Sequence, residues 1–224
     1  MPYKIPPTEL ERARLVLREG SAALGLSLSE GQVQAFLSYL TLLILWNKTF
    51  NLTSLRDPVE IVRLHFLDSL AVAPFVEKSG PLMDLGSGAG FPGLPLAILL
   101  PSTSTTLVEP RRKRANFLRA AARAISATQV VVVEDRVERL DRNITGLFST
   151  VVFRAVGRAD FFLRAARGFL QEGGRCLVLH GPSGTKLFDE IGNNCSALGY
   201  SKAKIESYHI PPGKEARTII IAYT

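Results

Sequence analysis

Little in this chain could hold a metal ion or form a covalent cross-link. Its 224 residues include two cysteines, three histidines, two methionines and one tryptophan. Cys176 and Cys195 have neither C-x-x-C nor metal-ligand spacing, which excludes a zinc finger and a disulfide scaffold and fits a reducing compartment. His65, His180 and His209 are scattered, so they are read as structural residues with no metal triad. Apolar runs such as LTLLILW at 40–46 fall far short of the roughly 20 residues of a membrane span. MPYKIPP lacks signal-peptide character, and a cytoplasmic location is expected. Acidic residues are outnumbered, 20 against 27 lysines and arginines, and the net charge of +7 favours a polyanionic partner without requiring one. With 46% hydrophobic and 21% charged residues, the chain is neither disordered nor fibrous, and its length suits one sizeable core.

What is present changes period near residue 80. Before it, TELERARLVLREG predicts a short helix ending at Gly20. Ser29 caps a second helix, with Gln32 completing a capping box and Val33, Phe36, Leu37, Leu40, Leu43 and Ile44 on one face. A polar loop, NKTFNLTSLR, leads to Asp57, Pro58 and Glu60, which start a third helix running to about Phe75. Tyr39 and Trp46 are expected inside, and Asp68 is expected to pair with His65 on the same helical face.

Beyond residue 81 the spacing predicts strands at PLMDL, STTLVE, QVVVV, STVVFRA and GRCLVL. Helices are expected to begin near Pro92, Arg112, Arg136, Asp160 and Thr185. KAKIESYH and RTIIIAY close the chain as a hairpin. The reading is an α/β fold: a mostly parallel seven-stranded sheet over residues 79–224, preceded by a helical cap over residues 1–78.

The chemistry gathers at DLGSGAGFPG, residues 84–93, at the carboxyl end of the first strand, where doubly wound sheets bind ligands. The dinucleotide fingerprint is G-x-G-x-x-G, whereas Gly86, Gly88 and Gly90 fall as G-x-G-x-G behind Asp84, which argues against a nicotinamide dinucleotide. The pattern is that of S-adenosylmethionine-binding methyltransferases. The glycines let the backbone approach the cofactor without a Cβ clash, and Asp84 orients the turn. Glu109 ends the second strand as an acceptor for two ribose hydroxyls, and backbone near EDRVE edges the adenine.

Two further signals concern the acceptor. EPRRKRANFLRAAARA carries Arg111, Arg112, Lys113, Arg114, Arg119 and Arg123, a cluster that neutralises phosphate or else is a solvated helix face, with Phe117 and Leu118 toward the sheet. Arg154 ends the fourth strand, beside the first. No Asn/Asp-Pro-Pro-aromatic element and no Pro-Cys pair follows it. That leaves an acceptor needing no activation, such as guanine N7, which has an exposed lone pair and no proton to lose.

Together WNKTFNLTSLRDP, HFLDSL, DLGSGAGFPGLPLAI, RRKRANFL and FRAVG resemble the glucose-inhibited division protein B family, bacterial methyltransferases of guanine N7 in small-subunit ribosomal RNA. The likeness runs from about Trp46 to Gly181, with a weaker match at EARTIIIAY. It implies a Rossmann-like class I methyltransferase fold, S-adenosylmethionine as donor, and small-subunit ribosomal RNA or the small subunit as partner, with no membrane, metal or disulfide. By the family pattern Gly86, Phe91, Glu109, Val137, Glu138 and Arg154 hold the cofactor, and Asp84, Ser87, Gly88, Gly90 and Pro110 of the same turns join them as cofactor candidates. Arg154 is also the catalytic candidate. The RNA side takes Arg111, Arg112, Lys113, Arg114, His180 and Arg217. His180 departs from the family, standing where a Leu-Lys-Gly element usually carries lysine, and at neutral pH it holds phosphate less well. A methyltransferase of small molecules or proteins, and a non-catalytic RNA-binding assembly module, are the alternatives. Salt-steep RNA affinity separates the first, and cofactor calorimetry the second.

Overall fold

The computed structural model describes residues 5–78, 80–140, 142–154, 159–213 and 215–224. Residues 155–157 of the FRAVG motif therefore lie outside the described residues. Seven strands form one sheet: β1 (Leu82–Leu85), β2 (Thr105–Val108), β3 (Val130–Val133), β4 (Phe148–Arg154), β5 (Leu170–His180), β6 (Lys202–His209) and β7 (Ala216–Tyr223). Their order is β3-β2-β1-β4-β5-β7-β6. β7 runs antiparallel to β5 and β6, as a closing hairpin requires, and the remaining pairings are parallel. Strand order reverses between β1 and β4, which opens a crevice at their carboxyl ends. β1 is buried throughout and reads as an apolar run broken only by Asp84.

The N-terminal helices α1 (Pro7–Ala23) and α2 (Glu30–Phe50) differ from expectation at their ends. α1 passes through Gly20 because Leu67 packs there: a Cβ would lie 2.2 Å from the Leu67 side chain. The capping box is present, Gln32 N donating to Ser29 Oγ at 3.2 Å and Ser29 N to Gln32 Oε1 at 2.9 Å. α2 takes in NKTF, which reads as the start of a loop, and closes after Phe50 on Asn51 in the left-handed region, φ 46°. Asn47, expected in a loop, is thus a buried helical residue.

The third helix starts as read, Asp57 accepting from Glu60 N at 2.9 Å, but it is not one α-helix. α3 (Pro58–Ile61) passes into a π-helical turn (Val62–Leu67), then α4 (Asp68–Leu70) and a 3₁₀ turn (Ala73–Phe75). No helix begins at Arg136 either. Val137, Leu140 and Ile144 mimic helical spacing, yet Val137–Arg139 is only a 3₁₀ turn, and these side chains pack partly against the sheet.

The sheet is covered by α5 (Gly93–Leu99), α6 (Arg112–Ala124), α7 (Ala159–Phe169) and α8 (Gly184–Asn193). Phe36, Tyr39 and Leu40 of α2 share one core with Leu94 of α5, Leu107 of β2 and Phe117 of α6. Phe117 and Leu118 share this core with Leu107 of the sheet as expected, and Phe117 also meets α2, its ring 5.6 Å from Trp46 and 6.2 Å from Tyr39. Tyr39 is fully buried as expected, while Trp46 is only partly so. Both cysteines are free. Among the described residues no helix is long and apolar enough to cross a membrane.

Candidate functional site

The glycine turn leaves β1 in a conformation that side chains resist. Gly86, Gly88 and Gly90 have φ of 72°, 59° and 100°. Gly86 N and Ser87 N donate to Val108 O at 2.9 and 3.0 Å, tying the turn to β2. Below it Asp84 is wholly buried and accepts from Gly93 N at 2.9 Å through Oδ2, while Oδ1 has no partner. Burial pushes the Asp84 carboxyl up to about 7, against the pull of the Gly93 N–H. Glu109, 3% exposed, accepts from Gly88 N and Arg111 N, each at 2.9 Å. Each of its oxygens keeps a second lone pair for a ligand.

A cavity of about 640 Å³ opens above this turn, within the range of cofactor sites. Gly86, Ser87, Gly88, Phe91, Glu109, Pro110, Val137, Glu138 and Arg154 all line it, as do Arg111 and Arg114 of the basic cluster. Asp84 and Gly90 do not. Asp84 lies beneath the turn, and Gly90 faces the core, where a Cβ would meet Leu94 and the Tyr39 hydroxyl at 2.6 and 2.7 Å. Tyr39 donates to Ala89 O, which fixes the turn from the cap side.

Arg154 reaches back toward the cap. Its Nη1 donates to Asp68 Oδ2 at 3.1 Å, Nη2 lies 3.2 Å from His65 Nδ1, and the guanidinium stands 5.2 Å over the Phe91 ring. Asp68 also accepts from the Tyr208 hydroxyl at 2.6 Å and lies 3.6 Å from Arg217 Nε. The expected His65–Asp68 pair is absent, because two guanidinium cations and a hydroxyl take the carboxylate and a neutral imidazole competes poorly with them. Burial, then the Arg154 charge, lowers His65 to about 3, so its ring is neutral. It stacks on Phe91 with centroids 4.5 Å apart. Burial, and then the Asp68 charge, raise the Tyr208 hydroxyl far above its ordinary value, so it stays a donor.

His180 and Arg217, expected on the RNA side, line a second cavity of about 480 Å³ that shares His65 and Arg154 with the first. Arg112 and Lys113 line neither cavity; Arg112 is exposed, and Lys113 Nζ stands 5.6 Å over the Phe50 ring. Arg119 pairs with Glu134 at 2.8 Å. The sequence left Leu52, Thr53, His65, Ala89, Phe161 and Phe162 without a site role, though all line the first cavity. For Leu52, Thr53 and His65 the signal lies in WNKTFNLTSLRDP and HFLDSL, which carry the resemblance without naming a role for these residues. Among the described residues no group of three or more His, Cys, Asp or Glu could hold a metal ion.

Residues 32–219 match the sequence profile of a family described as rRNA small subunit methyltransferase G. A protein of that name from Chloroflexus aggregans is 40% identical over 212 residues, covering 92% of this chain and 87% of its own. Another, from Methylobacillus flagellatus, is 38% identical over 205 residues, covering 92% and 95%. The fold is also that of M. jannaschii TYW2, solved with AdoMet, at TM-score 0.56, 12% identity, and 70% and 73% coverage. The profile begins in α2 and ends in β7, so it takes in the cap contact at Tyr39, the glycine turn, Glu109, and the Asp68 cluster together: the chain belongs to the rRNA small subunit methyltransferase G family.

Proposed function

We propose that this enzyme transfers a methyl group from S-adenosylmethionine to N7 of a guanine in small-subunit ribosomal RNA. The observation that carries the reading is the cavity at the β1–β4 switch point, which joins the glycine turn, Glu109 and the Val137–Glu138 edge to Arg154. S-adenosylmethionine supplies an electrophilic methyl on a sulfonium when bound. The residues fit it: Gly86 and Gly88 line the cavity with backbone alone, and Glu109, each oxygen holding one N–H, would accept from the ribose hydroxyls. Val137 and Glu138, which line the same cavity, would edge the adenine.

Arg154, at the acceptor end, is held by Asp68 and Phe91 and orients the guanine. Its alignment and the exclusion of water are all this acceptor needs, since N7 loses no proton. The Arg111–Arg114 run and the second cavity, with His180 and Arg217, serve the RNA. Residues 1–78 act as a cap that completes the site, residues 79–224 as the catalytic domain, and the cytoplasm is where both substrates meet. Incubation with labelled cofactor and small ribosomal subunits, or their RNA, followed by mapping of N7-methylguanosine, tests the reading. One methylated guanine is expected; label on protein alone, or none, overturns it.

A further inference from the structure

Thr53 joins the two cavities: it lines the first, while Ser54 and Leu55 line the second. Its position is fixed from α2, Thr53 N donating to Asn47 Oδ1 at 2.9 Å and Asn47 Nδ2 to Leu55 O at 3.0 Å. Its hydroxyl oxygen lies 2.7 Å from His65 Nε2 and accepts from Leu55 N at 3.2 Å. The tautomer of His65 decides what that hydroxyl can do.

Arg154 has donors only, and its Nη2 lies 3.2 Å from His65 Nδ1, so Nδ1 must accept. Leu64 O, 3.1 Å from the same nitrogen, favours the other tautomer. A proton there would face the N–H of a full cation, and the charge outweighs one carbonyl dipole. The neutral ring assigned from these partners carries its proton on Nε2 and donates it to Thr53. Both lone pairs of the Thr53 oxygen are then filled, by Nε2–H and Leu55 N–H. Its own proton finds no acceptor among the described residues and is left for the cavity.

Guanine presents two acceptors on this edge, N7 and O6, whereas adenine presents an amino donor in place of O6. Given the reading above, we infer that Thr53 is a specificity-determining residue whose hydroxyl donates to O6 of the acceptor guanine and turns adenine away. The chain Arg154 to His65 to Thr53 sets the direction of every bond, so the hydroxyl cannot reverse to receive an amino group.

The methylated guanine is mapped first with the parent enzyme. Small-subunit RNA carrying 6-thioguanine at that position, a weaker acceptor at the same place, is then compared with normal RNA in single-turnover methylation. The parent is expected to lose about tenfold on the thio substrate, one hydrogen bond weakened. Thr53→Val should lose roughly 10- to 100-fold on guanine, one hydrogen bond removed, with little further loss on thioguanine, and Thr53→Ser should follow the parent. Cofactor affinity of Thr53→Val by calorimetry should match the parent, and Thr53→Ala replaces it if it does not fold. Any change in N7 reactivity is common to all these enzymes. A thio effect of equal size in parent and Thr53→Val overturns the inference, leaving Thr53 as a brace for its loop. A folded parent that methylates no RNA overturns the underlying reading, and this inference with it.

Discussion

Asp84 and His65 are buried titratable residues whose environments act on stability in opposite senses. Asp84 is raised from 3.8 to about 7, so between these values the native state holds a proton that the unfolded chain has released. Its contribution is full below pH 3.8 and is lost as pH rises toward 7. His65 is lowered from 6.5 to about 3, so its contribution is full above 6.5 and is lost as pH falls toward 3. Over most of pH 4–6.5 the two slopes cancel. Asp84→Asn removes one of them and keeps an acceptor for Gly93 N. Its stability relative to the parent should rise with pH between about 4 and 7, by an amount on the order of 4 kcal/mol for a shift of three units. Urea titrations at several pH values check this, and a difference independent of pH counts against a protonated Asp84. Glu109→Ala should weaken S-adenosylmethionine by about 1–3 kcal/mol, the cost of a charge-assisted bond unmade. It should also lower the melting temperature by a few degrees, because Gly88 N and Arg111 N lose their acceptor. Calorimetry and thermal unfolding separate the two effects; unchanged affinity with collapsed stability makes Glu109 structural.

Helix α6 and the π-helical turn show which parts of the site were legible. The glycine turn and Glu109 could be read because each sits at a strand end whose position follows from the alternation of strands and helices, whereas Val137 and Glu138 came from the family resemblance. Thr53, His65 and Asp68 could not. Asn47, which holds Thr53, falls in a stretch that reads as loop, and Arg154, Tyr208 and Arg217, which hold His65 and Asp68, lie on three distant strands whose pairings no local spacing encodes. A single π turn is too short to show an apolar period of its own, and Val62–Leu67 reads as α-helix until its backbone hydrogen bonds are placed. The false helix at Arg136 came from the same limit, since apolar spacing alone does not distinguish an α-helix from short 3₁₀ turns. For α6 the sequence left open a phosphate-binding cluster or a solvated face. The element divides: Arg114 turns into the cavity and Arg119 is held by Glu134, while Arg112 is exposed and Lys113 sits over Phe50. Neutralising Arg112, Lys113 and Arg114 together should weaken RNA binding and reduce its salt slope by roughly two to three units, a little under one for each phosphate left without its cation. Filter binding across salt concentrations measures the slope. A slope equal to the parent's returns the cluster to a solvated face.

At the scale of the whole molecule, the cap and the sheet are one packing unit. Tyr39 stacks on Phe66 at 5.1 Å and reaches Phe91 of the glycine turn at 5.6 Å, and Gln32 donates to Ile98 O and Leu99 O at 3.0 and 3.2 Å. Arg154 and Asp68 add an ion pair across the join, its carboxylate side chain 5% exposed, which separating cap from sheet would break. The cap and the sheet share one apolar core, in which Phe36, Tyr39 and Leu40 meet Leu94, Leu107 and Phe117. The single tryptophan gives a direct reading of this: Trp46 lies on α2 and touches Phe117 of α6 across the join. In urea, the fluorescence transition of Trp46 should coincide in midpoint and slope with the loss of far-ultraviolet circular dichroism, as one cooperative event. A fluorescence change at clearly lower urea would mean that the cap leaves a folded sheet. The cofactor site, which Tyr39 braces through Ala89 O, would then be lost before the fold, and S-adenosylmethionine would raise the first midpoint and not the second. With one unit, a saturating cofactor raises a single midpoint seen equally by both signals.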